Sequence, residues 1–166
     1  MNAGTKTRLT TLLASLLMAV SGAMHAEKVR DLTVHDPWIR EVPPVSERSA
    51  GYLRIDNTGN TDRALVAADS DRFERVELHE SRESDDGVMR MIHLDQLPLP
   101  AGETTALAPG GYHIMLIDRV GEPLSEAAGD TVTIRLMFDN DQSTEVEARV
   151  LRYGPDDDNA DHGMDH

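Results

Sequence analysis

Cysteine is absent from the 166-residue chain. That excludes a disulfide, a thiolate metal centre and an acylated cysteine within it. Small exported domains often rely on disulfides, so a domain built from this sequence must hold by packing. A membrane-spanning run is missing as well. The apolar stretch LLASLLMAV, residues 12–20, falls well short of the roughly 20 residues that cross a bilayer. Basic residues are few, 16 Lys and Arg against 30 Asp and Glu, for a net charge of −14. Phosphate neutralisation needs a basic face, so nucleic acid is excluded as a partner. The sequence has no G-x-S-x-G elbow, no H-E-x-x-H and no Gly-rich phosphate loop. Its many acids are scattered through turns and strand faces, and no internal repeat is present. Nothing marks an enzyme.

What is present begins with a leader. Lys6 and Arg8 precede the apolar run, and the small-residue stretch SGAMHA follows it. This is the layout of a secretory signal peptide, residues 1–26. Cleavage is expected after Ala26, with Ala23 as second choice. The 140 residues that remain fit one domain, long enough to bury roughly 70% of the unfolded surface. Loss of Lys6 and Arg8 makes the mature charge −16. Such a surface favours solubility and attracts cations or basic protein patches.

Helical periodicity is weak after residue 26. Short apolar alternations separated by Gly, Pro, Asn and Asp predict an all-β sandwich or barrel of about eight to nine strands. LTVHDPWIRE reads as a first strand broken at Pro37, and SAGYLRIDN, RALVAADS and RFERVELHE as the next three. DDG is a turn before the strand VMRMIHL. LPLPAGETTALAPGG holds a Pro-rich link, one short strand and a Gly turn. YHIMLID, DTVTIRLMF and TEVEARVLRY complete the set. SEAAGD is long enough for one helical turn. The domain is expected over residues 27–153. The acidic end GPDDDNADHGMDH, residues 154–166, has no apolar period and is expected to be a disordered tail.

Residues i and i+2 of a strand share a face. His113 therefore sits beside Met115 in YHIMLID, and Met89, Met91 and His93 line up in VMRMIHL. His79 is expected to end its strand before the polar segment ESRESDDG. Taken singly, each fits a packing or surface role, because Met fills core gaps and a buried His is satisfied by a carbonyl. Taken together, His79, Met91, His113 and Met115, with Met89 and His93 as spares, form a soft donor set. Thioether and imidazole suit Cu(I) rather than Mg or Ca. Outside the cytoplasm they avoid the oxidation that turns thiols into disulfides. A blue-copper centre would need a Cys ligand, which the chain lacks.

VELHE, DDGVMRM and LAPGGYHIMLID resemble the periplasmic copper chaperone family called PCuAC, whose signature is a His, a Met and then His-x-Met. Between Met91 and His113 lie 21 residues, the family's spacing. Between His79 and Met91 lie 11, one more than usual, and the polar turn ESRESDDG can take up the extra residue. The resemblance covers roughly residues 29–153, including DPWIRE and GYLRIDN. It implies a cupredoxin-like or Ig-like β-sandwich monomer in the periplasm, holding one Cu(I) on His79, Met91, His113 and Met115, with Met89 as second choice for the Met ligand. It also implies delivery of copper to respiratory oxidase, toward the Cu_A subunit, alongside Sco-type proteins. His162, Met164 and His166 in the tail match the family's His/Met-rich extensions and form a candidate second site, for Cu(II). The competing expectations are a structural or adhesive sandwich without metal, and a general periplasmic copper storage or resistance protein.

Overall fold

The computed structural model describes residues 29–155. The leader, residues 1–26, and the tail residues His162, Met164 and His166 lie outside them. The described residues form ten strands and no helix: β1 (Leu32–Arg40), β2 (Arg48–Asn57), β3 (Arg63–Asp69), β4 (Phe73–Glu83), β5 (Met89–Leu94), β6 (Leu97–Leu99), β7 (Thr104–Leu107), β8 (Tyr112–Arg119), β9 (Thr131–Phe138) and β10 (Ser143–Leu151).

The strands join in the order β5-β4-β8-β2-β1-β10-β9-β3-β6, with β7 also paired to β2. This hydrogen-bonded path folds over on itself as a cupredoxin-like β-sandwich. Ile39, Ile55, Leu65, Ile114, Leu116 and Leu136 are almost wholly enclosed, and they come from β1, β2, β3, β8 and β9. Alternation explains the result: β9 buries Val132, Ile134, Leu136 and Phe138 and turns the residues between them outward.

Three local features depart from the sequence expectation. Pro37 does not break the first strand. It sits in a bulge between His35 and Trp38, where the β1–β2 register shifts and Asp36 adopts a φ of 48°. A bulge tolerates Pro because one residue leaves the ladder. Past it, β1 runs parallel to β10, with Trp38 opposite Arg149 and Arg40 opposite Leu151. The segment read as one short strand is two, β6 and β7, parted by a turn in which the Gly102 N–H donates to the Asn57 carbonyl at 2.8 Å. Strand β4 continues four residues beyond His79, so His79 lies within a strand rather than at its end. SEAAGD closes as a single turn, its Gly129 N–H on the Glu126 carbonyl at 2.8 Å, and does not grow into a helix.

Candidate metal centre on the outer face

Strands β5, β4 and β8 lie side by side and bring the predicted residues into register. His79 pairs with His93 on one side and with His113 on the other. One step along, Ser81 pairs with Met91. One step the other way, Glu77 pairs with Met115. All of these share the face opposite the core, since Leu78 and Ile114 between them point inward. His79 is the hub, with two imidazoles directly across, Met91 and Met115 on the diagonals, and Glu77 and Ser81 on its own strand. Diagonal neighbours on a sheet are within reach of long side chains. Met89 pairs with Glu83, one row farther out.

Gly51 of β2 pairs with Ile114, which brings Tyr52 beside His113. A row of rings results. Centroid separations are 4.6 Å from Trp38 to Tyr52, 6.5 Å from Tyr52 to His113, 5.7 Å from His113 to His79 and 5.5 Å from His79 to His93. Trp38 and Tyr52 are buried apart from the main core. Burial raises the Tyr52 phenol pKa, with Arg40 opposing it, so that phenol stays uncharged.

Hydrogen bonds fix which imidazole nitrogens are bare. The Gly111 carbonyl faces His113 Nδ1 at 3.1 Å and also accepts the Ser81 N–H at 3.0 Å. A carbonyl only accepts, so His113 carries its proton on Nδ1 and keeps a lone pair on Nε2. That carbonyl is aimed by the turn over residues 108–111, in which the Gly111 N–H donates to the Ala108 carbonyl at 3.0 Å and Gly110 takes a φ of 84°. Burial depresses the His113 pKa. The Gly111 bond opposes the shift and the nearby His79 adds to it. A neutral imidazole is the metal-binding form. On His79, Nε2 lies 2.9 Å from Glu77 Oε2, so that nitrogen donates. In the neutral ring its Nδ1 is then a lone pair, and that atom is buried without a hydrogen-bond partner. Carboxylate–imidazole pairs of this kind orient metal-binding histidines.

A cavity of about 270 Å³ is lined by Met91, His113 and Met115 together with Tyr52, Ser81 and Gly110. His113 is 5% exposed and Met91 56%, so the site is closed at one side and open at the other. A larger hollow of about 390 Å³ beside Trp38 and Leu107 has no His or Met in its wall. The sequence reading overlooked Glu77, whose i, i+2 relation to His79 in VELHE was the available signal. It also overlooked the ring row, which no local pattern encodes.

The architecture defines a small cupredoxin-like β-sandwich, the PCuAC class of fold. The chain belongs to the LpqE-like family, named for a lipoprotein, whose model matches residues 32–150. The protein RP573 of Rickettsia prowazekii (strain Madrid E) is 32% identical over 123 residues, 72% of this chain and 66% of its own, so the chain spans just under two thirds of that relative. The apo PCuAC domain from PmoF1 superposes with a TM-score of 0.65 at 23% identity, covering 78% of this chain and all of that one; this likeness is one of fold. DR1885 of Deinococcus radiodurans, in its apo form, shares 27% identity over 92% of this chain and 95% of its own, with a TM-score of 0.56. That protein is also known in a Cu(I) form.

Proposed function

We propose that this protein is a periplasmic copper chaperone, not an enzyme, and that it carries one Cu(I) on His79, Met91, His113 and Met115. One observation carries the reading: two imidazoles and two thioethers share one face of three adjacent strands, and Met91, His113 and Met115 line a cavity open to solvent. Soft thioethers with neutral imidazoles select Cu(I). Met91, on the exposed strand β5, is the ligand an acceptor reaches first, and His113 is the one it reaches last. Ligand exchange through Met91 therefore supports transfer, in our reading to the Cu_A subunit of respiratory oxidase with Sco-type proteins. The absence of cysteine means that this chain offers no thiol of its own for acylation or copper exchange. Export with removal of the leader near Ala26 belongs to the same proposal.

The test is anaerobic Cu(I) titration against a chromogenic chelator. It uses the full chain with His162, Met164 and His166 replaced by Ala, which isolates the sandwich from any second site on the tail. One tight equivalent is expected, weakened at least tenfold in His113→Ala and in Met115→Ala with the fold intact. Unchanged affinity in both variants would refute the assignment.

A further inference from the structure

Beyond the Cu(I) site, the same face holds a donor set of different chemistry. Glu77, His79 and His93 offer one ligand atom each, all within 4.8 Å of one another. Glu77 Oε2 stands between the two imidazoles, 2.9 Å from His79 Nε2 and 3.9 Å from His93 Nδ1. Arg75 approaches the other carboxylate oxygen, Oε1, at 3.4 Å, and leaves Oε2 to the histidines. His93 comes from the exposed strand β5, so the cluster is open to an incoming ion. Two imidazoles and a carboxylate, without sulfur, are the donors of a borderline divalent ion, Zn(II) or Cu(II), rather than of Cu(I).

We infer that Glu77, His79 and His93 form a second metal site, for a divalent transition-metal ion, and that it shares His79 with the Cu(I) site and so competes with it. The competition follows from one proton. Neutral imidazole carries a single N–H. With that proton on Nε2, donated to Glu77, Nδ1 is the nitrogen free for Cu(I). A divalent ion on Nε2 displaces the proton, which then occupies Nδ1 and closes that nitrogen to Cu(I). Holding both ions on one ring would require an imidazolate. Loading of either site therefore weakens the other, and by the same factor. The competition rests on the Cu(I) reading, whereas the divalent site stands on its own three residues.

Zn(II) is the probe, since it has no redox chemistry. The full chain with His162 and His166 replaced by Ala is titrated with Zn(II) against a chromogenic chelator, with and without one equivalent of Cu(I). One Zn(II) equivalent is expected. His93→Ala should weaken it at least tenfold and leave Cu(I) affinity within about twofold, because His93 is not a Cu(I) ligand. Glu77→Gln should also weaken Zn(II) at least tenfold, and Cu(I) loading should do the same to the parent protein. Zn(II) bound as tightly by His93→Ala as by the parent overturns the site. Zn(II) affinity indifferent to bound Cu(I) overturns the sharing. Loss of Zn(II) in His93→Ala from a protein that binds no Cu(I) sinks the chaperone reading and keeps the divalent site.

Discussion

His113 shows how one residue couples stability to acidity. Its folded-state pKa lies below its ordinary value because burial penalises the imidazolium. The unfolded chain therefore binds a proton more readily than the folded one. The contribution to stability is complete above the unfolded pKa, about 6.5, and is lost as pH falls through the lowered folded value. Urea unfolding of the metal-free protein at pH 7.5 and 5.5 should show lower stability at the acid end, and His113→Gln should flatten this difference. Asp56 and Asp86, held below the usual carboxylate range first by their bonds to Thr104 and Ser84, keep their contribution until pH drops below about 4. A loss of stability on acidification below about pH 6.5 that is undiminished in His113→Gln would contradict the assignment.

The turn over residues 108–111 and the hairpin of β4 and β5 set the site at the scale of elements. Gly110 needs its positive φ, and a Cβ placed there would meet nothing within 4 Å. Gly110→Ala therefore tests backbone strain alone, with a cost of about 1–2 kcal/mol. The same change should disturb the Gly111 carbonyl that orients His113, lowering Cu(I) affinity several-fold. Denaturation and chelator competition on one preparation read both effects, and a variant as stable as the parent would refute the strain argument. The strands themselves were legible, because each alternates apolar and polar residues over one buried face. His79 was misplaced to a strand end because Glu80, Ser81, Arg82 and Glu83 are polar on both faces. There the hairpin extends beyond the core, Arg82 pairs with Glu80 at 2.8 Å, and no period-2 signal survives. The bulge at Pro37 and the split into β6 and β7 were illegible for a different reason, since each is fixed by a partner distant in sequence. Strand alternation offered six candidate donors, and the resemblance to the PCuAC signature singled out four of them. Their convergence on His79, and the place of Glu77, emerged only from strand register.

For the whole molecule, the parallel ladder of β1 and β10 orders events in time. Arg40 waits for Leu151, and Trp38 for Arg149, so the first strand cannot complete its pairing until the last one has been made. No cysteine bridge holds an earlier arrangement in place. Non-local pairing of this kind must meet the entropy of closing a long loop before contacts reward it. A chain ending at residue 142, before β10, should show no cooperative urea transition and fast amide exchange throughout β1. A sharp transition in that fragment would show that the first nine strands suffice. A protein threaded across a membrane from its amino terminus gains from such an arrangement. Under the export proposed above, the segment that joins β1 to β9 is the last to arrive, so the chain stays pliable in transit and locks only on the far side.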